Sequence, residues 1–261
     1  LVQILPAGGA GPEGIRALPD RDLLVVSSEE EDRGDGLRGS VSIYQRGLEP
    51  NYPTVVSGDR ERGTPIPWGA LSGLAVVPAD DTVAYTIHDS FYDRSRVYAM
   101  DVSSVPAVIT DETVISDAGG VLETALTNLK KQLPGTDDFT VADIVNDDGT
   151  VNLDLEGVTV DPLGNLWVCS EGRGNLVDGV SDPDDRPFES PNMVLRLDAE
   201  GVIDFAAFPP LEVTRNQFRF GLEGIAPVVA GEAGVFVAVA FQRAWQAAGD
   251  PADATRIGLL D

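Results

Sequence analysis

Leu155-Glu156-Gly157-Val158-Thr159-Val160-Asp161-Pro162-Leu163-Gly164-Asn165-Leu166-Trp167-Val168-Cys169-Ser170-Glu171 is the stretch whose reading decides the fold. Two short apolar runs, Gly157 to Val160 and Leu166 to Ser170, flank an Asp-Pro-x-Gly-Asn turn, which predicts a β-hairpin. Three further stretches share its form. Pro12-Glu13-Gly14-Ile15 leads through Pro19 to Leu23-Leu24-Val25-Val26-Ser27-Ser28-Glu29, and Leu71-Ser72-Gly73-Leu74 leads through Pro78 to Val83 to His88. Leu222-Glu223-Gly224-Ile225 leads through Pro227 to Val235 to Ala240. Each opens on Glu-Gly or Ser-Gly followed by an aliphatic residue, so the chain is a repeat protein.

Further apolar strands follow the hairpins at Ser40 to Tyr44, Arg96 to Val102, Ala107 to Ile109, Met193 to Leu197 and Arg256 to Asp261. Three to four strands per repeat is the make-up of a propeller blade. The predicted fold is therefore an all-β propeller of four recognisable blades in a single domain over residues 1–261. Strands at both ends of the chain suggest a larger ring. The repeat glycines Gly14, Gly73, Gly157 and Gly224 are spaced by 59, 84 and 67 residues. The excess over a compact blade falls in loops and in one predicted helix, 121–133, whose apolar residues recur at helical spacing. The four glycines read as close backbone approaches or bulges rather than ligand contacts.

The 261 residues carry 43 acidic and 18 basic side chains, a formal charge of −25. Such a field repels nucleic acid and anionic membranes and attracts cations, which excludes nucleic-acid partners. No apolar run approaches the roughly 20 residues of a membrane helix, so membrane insertion is not expected. The chain begins at Leu1 without an initiating methionine; a removed leader and a periplasmic or extracellular location are the expectation. Cys169, the single cysteine, reads as a small buried strand residue with no disulfide to form.

In a propeller the first strand of each blade faces the axis, so Glu13, Ser72, Glu156 and Glu223 are expected to converge. Clustered carboxylates raise one another's pKa unless a cation sits among them, and all-oxygen ligation favours Ca²⁺ or Mg²⁺. The other reading is that each glutamate accepts backbone N–H groups of the adjoining blade. The returning strands exit at Glu29, His88 and Glu171, which follow Glu13, Ser72 and Glu156 by 16, 16 and 15 residues. Matching exits suggest one rim of the ring. His88, the only histidine, excludes a multi-histidine zinc site; it is either a lone general base or a rim hydrogen-bonding group. Arg33, Arg94, Arg96, Arg173 and Arg243 lie near those exits and could clamp a phosphate or carboxylate, or pair with surface acids. The acidic loops Glu29 to Asp35, Asn146 to Gly149 and Asp178 to Asp185 do not fit EF-hand spacing. No Gly-x-Ser-x-Gly elbow or phosphate-binding Gly-rich loop occurs.

Pro12-Glu13-Gly14-Ile15, the Leu155 to Glu171 stretch with Asp161-Pro162-Leu163-Gly164, Leu222-Glu223-Gly224-Ile225 and Arg256-Ile257-Gly258 together resemble the phytase-like, or esterase-like activity of phytase, family of bacterial β-propellers. The resemblance covers most of the chain and implies further blades after Asp261. Joined to the residues, it supports two readings. In the first the protein is a Ca²⁺-dependent hydrolase of phosphoric esters: Glu13, Glu29, Glu156 and Glu223 bind metal, His88 and Glu171 are catalytic, and Arg94, Arg173 and Arg243 hold a small phosphorylated substrate. In the second it is a non-catalytic exported propeller that presents its rim to a protein or polymer ligand.

Overall fold

The computed structural model describes residues 12–28, 40–47, 55–133, 140–173, 190–214, 220–229, 235–245 and 249–260. The chain divides into two compact units, Leu1–Pro53 and Thr54–Asp261. Among the described residues it is mostly β, in four open sheets with two helices.

The first unit holds one antiparallel sheet of β1 (Pro12–Leu18), β2 (Leu23–Ser28) and β3 (Ser40–Gln45), in that order. The predicted hairpin forms, with Ile15 opposite Val26 and Leu18 opposite Leu23. Ile15, Val41 and Ile43 are exposed.

The second unit contains three sheets. The first of these joins β4 (Val55–Ser57), β5 (Leu71–Val77), β6 (Asp80–His88), β7 (Arg96–Asp101) and β8 (Ala107–Val114) in the order β4-β8-β7-β6-β5. All its pairings are antiparallel except β4 with β8. Next come β9 (Leu155–Val160), β10 (Leu166–Ser170), β11 (Met193–Leu197) and β12 (Ile203–Ala207), each antiparallel to its sequence neighbour. The last sheet is β13 (Leu222–Val229), β14 (Val235–Phe241) and β15 (Ile257–Leu260). Short connections and sequential pairing follow from alternating apolar runs separated by turn residues.

The β9–β10 hairpin shows how the turn is specified. Buried Asp161 accepts hydrogen bonds from the backbone N–H of Leu163 (2.8 Å) and Asn165 (2.9 Å). It accepts two more from Asn165 Nδ2 (2.8 Å) and Trp167 Nε1 (3.0 Å). Gly164 completes the turn at φ +89°. Burial alone would raise the Asp161 pKa, but donors from Trp167, Asn165 and Leu163 hold it below its ordinary value.

Helix α1 (Val121–Lys130) is three residues shorter than predicted, its last turn opening at Lys131. Leu122, Leu126 and Leu129 are its buried stripe and pack it toward β12. Gly120 in the N-cap offers no side chain, so Asp117 fills that role: its two carboxylate oxygens accept the N–H groups of Leu122 and Glu123, both at 2.8 Å. The second helix, α2, is one turn (Leu211–Thr214).

The main core gathers Ile87, Ile115, Leu122, Leu126, Ile144, Leu155 and Leu195 between α1 and the first two sheets of this unit. A second cluster, Cys169, Val194, Leu222, Val237 and Val239, joins the last two sheets. The opening strands come unusually close to one another: β9 packs between β5 and β13. A Cβ on Gly73 would lie 3.0 Å from Val158 N, and one on Gly157 would lie 2.7 Å from Cys169 Sγ and 3.1 Å from Ile225 N. Only glycine allows that approach, which is what places residues of three sheets side by side.

Candidate functional site

A backbone irregularity recurs at the repeat motif. In β9, Gly157 pairs with Cys169 and Leu155 with Ser170, which leaves Glu156 as the extra residue of a β-bulge. Glu223 is likewise extra between Leu222 and Gly224, and Glu13 between Pro12 and Gly14. In β5 the extra residue is Gly73, between Ser72 and Leu74. A bulge turns its side chain out of the regular alternation. The Glu-Gly signature is therefore the sequence mark of a strand that re-aims a carboxylate.

Glu156 is the centre of the result. One carboxylate oxygen from each of Asp89, Asp154 and Glu156 lies within 4.8 Å of the other two, and the same holds for Glu156, Glu171 and Glu223. Five acids from three sheets thus meet around one side chain. Asp89 follows β6, Asp154 precedes β9, Glu171 follows β10, and Glu223 rides the bulge in β13.

Donors surround the group without neutralising it. Ser72 Oγ donates to Glu156 Oε2 at 2.7 Å. Arg173 Nε donates to Asp154 Oδ2 at 3.0 Å, and Ser90 Oγ to Asp89 Oδ1 at 2.9 Å. The Phe220 N–H donates to Glu171 Oε1, with Phe220 itself held at φ +55°. Gln242 Nε2 reaches Glu223 Oε1 at 3.3 Å.

The titration behaviour follows from burial and crowding. Burial, with Asp89, Glu223 and Asp154 nearby, pushes Glu156 up to about 7 against the opposing Ser72 hydrogen bond. Asp89 rises to about 6, first through its side-chain contact with Asp154 and then through burial. Burial would raise Asp154 too, but that contact and the Arg173 guanidinium hold it below its ordinary value. Burial also raises Glu171, opposed by the Phe220 N–H. This is a site short of positive charge, and the atoms it could offer a metal are all carboxylate oxygens. Such chemistry suits a hard divalent cation such as Ca²⁺.

The sequence-predicted residues fall into three groups. Glu156, Glu171 and Glu223 come together, with Glu171 in the carboxylate group rather than apart from it. Glu29 and Arg33 lie outside the described residues, as does the side chain of Glu13. His88 is fully buried beneath Tyr92 and Tyr98, with ring centroids 5.4 and 6.1 Å away. Its Nε2 lies 3.0 Å from the Arg94 carbonyl oxygen, which can only accept, so the proton sits on Nε2. Burial lowers the imidazole pKa and keeps the ring neutral. Of the arginines, Arg94 pairs with Asp148 at 2.6 Å and Arg96 with Glu112 at 3.2 Å. Arg173 pairs with Asp154, and Arg243 stacks 3.3 Å from the centroid of the Phe220 ring.

Two of the five acids, Asp89 and Asp154, are absent from the sequence-based set. Register explains the first. His88 pairs with Leu71 as Ser170 pairs with Leu155, so the residue equivalent to Glu171 is Asp89. A second irregularity, Val76 and Val77 facing Ala84 and Asp80, lengthens the β5–β6 hairpin, so the exit falls at Asp89, one residue beyond His88. The backbone confirms the equivalence: Asp89 N donates to Ala70 O, Glu171 N to Asp154 O and Gln242 N to Gly221 O. Asp154 was findable as the acid two residues before Glu156, though nothing in the other repeats marks its position.

Residues 66–261 match the family model Phytase-like, described as esterase-like activity of phytase. No curated protein matches the chain in sequence. Among solved structures, luciferin-regenerating enzyme is 12% identical with a TM-score of 0.34, the alignment covering 88% of this chain and 53% of that one. This chain therefore spans about half the length of that enzyme. The PQQ-bound aldose sugar dehydrogenase of Streptomyces coelicolor is 14% identical with a TM-score of 0.23, covering 99% and 96% of the two chains. Neither likeness is close enough to speak to function.

Proposed function

Because the chain belongs to the phytase-like family, we propose that it is a four-bladed or larger propeller acting as a Ca²⁺-dependent hydrolase of phosphoric esters at the carboxylates around Glu156. The observation that carries this reading is the sharing of Glu156 between two groups of three acids. A cation offsets the burial and crowding of acids that raise Glu156, and the contact with Asp154 and burial that raise Asp89. When bound, Ca²⁺ supplies positive charge that offsets a phosphoryl group and acidifies water beside it.

The chain's own groups divide the work. Glu156, Glu171, Glu223, Asp89 and Asp154 hold the charge. Ser72 fixes the rotamer of Glu156, and Arg173 fixes Asp154. Glu171, half-buried with a raised pKa, is suited to take a proton from water. Arg243, stacked on the ring of the residue whose N–H binds Glu171, would meet a substrate phosphate, whereas Arg94 is occupied by Asp148. His88, fully buried, supports the loop that carries Asp89. Ca²⁺ sites of this kind work at the high calcium of the extracellular space, so the proposal extends to an exported protein.

The test is phosphate release from phytate and from p-nitrophenyl phosphate with Ca²⁺ and with chelator. Turnover that needs Ca²⁺ and is lost in Glu156→Gln supports the proposal; absence of chelator-sensitive turnover on both esters overturns it. The full burial of the only imidazole favours a second reading, a Ca²⁺-stabilised propeller that binds a protein or polymer without catalysis. Calorimetric Ca²⁺ uptake without turnover would select it.

A further inference from the structure

Between the last two sheets, behind the short helix α2, lies a cavity of about 270 Å³. Phe208, Val213, Leu222, Phe241, Trp245 and Leu260 are among the residues that wall it. It is built of side chains other than the carboxylate group, and its walls are almost wholly apolar.

Two observations say what it takes. Trp245 is 9% exposed, and its indole Nε1–H, a donor with no accepting role, meets no acceptor among the described residues. A buried donor without a partner carries a desolvation cost that a bound acceptor removes. Among the described residues the one charge on the wall, Arg256, covers the Trp245 ring at 4.3 Å and is held by Asp250 through two hydrogen bonds of 2.6 and 2.8 Å. That guanidinium is already neutralised by Asp250, so nothing in the cavity selects an anion. Volume sets the size: a 150 Å³ apolar cavity holds a benzene ring, so this one suits roughly ten to twelve non-hydrogen atoms.

We infer that this cavity is a binding site for a small, neutral, largely apolar ring compound that carries one hydrogen-bond acceptor, with Trp245 Nε1–H as its donor. The site is separate from the cation chemistry and would serve recognition whether or not the protein turns over an ester.

1-Indanone and indane differ by the carbonyl oxygen and serve as probes. Binding of each to the whole chain is followed by ligand-observed NMR and calorimetry. Indanone should bind with a Kd of about 100 μM, and indane about ten-fold more weakly. Trp245→Phe, which keeps the ring and deletes the donor, should bring indanone down to the level of indane and leave indane unchanged. Ala207→Phe, filling the cavity from β12, should abolish both. The two variants deplete the same site by different means, so a folding failure of one leaves the other decisive. Failure of both probes to bind the unaltered protein, or indanone binding that neither folded variant weakens, overturns the inference.

Discussion

Ser72 and Glu156, 84 residues apart in sequence, are joined by a 2.7 Å hydrogen bond from hydroxyl to carboxylate. They occupy the same place in successive repeats, one offering a donor where the others offer an acid. The hydroxyl also lies 3.3 Å from the Glu156 carbonyl oxygen, so Ser72 fixes the bulge as well as the side chain. This contact opposes the burial that raises Glu156.

Ser72→Ala should therefore raise the Glu156 pKa further above about 7. The loss of one partly buried hydrogen bond should cost about 1 kcal/mol. Carboxyl-carbon NMR titration of the metal-free protein, beside urea denaturation, reads both; an unmoved titration would show that the contact does not tune the acid.

Stability of the metal-free protein should fall as pH rises from about 5 to about 7.5. Glu156 holds its proton to about 7 when folded against an ordinary value of 4.5, and Asp89 to about 6 against 3.8. Across those windows the folded chain binds more protons than the unfolded one, so raising the pH favours unfolding. Asp154 acts in the opposite sense, but its lowered pKa confines that contribution to the region below 3.8. With solvent screening discounted, the net loss should be on the order of 1 to 2 kcal/mol. Denaturation midpoints in chelator at the two pH values measure it.

Glu156→Gln should separate charge repulsion from cation binding. In chelator near neutral pH the variant loses a crowded carboxylate and should melt a few degrees higher than the unaltered protein. Added Ca²⁺ should raise the unaltered protein's Tm by mass action and the variant's much less. An equal Ca²⁺ response in both would move the cation away from Glu156.

Asp161→Ala removes four hydrogen bonds from the β9–β10 turn and leaves the N–H groups of Leu163, Asn165 and Trp167 to find other partners. The expected cost is about 2 to 4 kcal/mol. Because the folded pKa is lowered, the stabilisation is present above 3.8 and lost as the pH falls through the folded value. Chemical denaturation of wild type and variant at neutral and acid pH should show their difference shrinking in acid.

The hairpins were legible because a strand needs only a local apolar run and a turn with the right residues. Leu166 to Ser170 was predicted at its observed bounds, and Gly157 to Val160 extends two residues earlier, to Leu155. The predicted glycine contacts are real at Gly73 and Gly157, where neighbouring backbone fills the space of a side chain. The helix was found but overrun, since Leu133 keeps the apolar spacing and is buried after the helix has opened.

The site was legible where it repeats. Glu156 and Glu223 carry the Glu-Gly mark, and Glu171 follows from the strand exit. His88 falls one residue short of the true equivalent because extra residues in β6, opposite Val76 and Val77, change the count without changing the pattern. The pairing of Arg94 with Asp148 and of Arg173 with Asp154 depends on loops meeting from distant parts of the chain, which no spacing records.

The sequence by itself determined the repeated hairpins, their turns and the acids they carry, because these depend on neighbours within a few residues. Only the tertiary structure decided which acids meet. That choice rests on β9 lying against both β5 and β13, on bulges that shift register by single residues, and on glycines small enough to let three backbones converge.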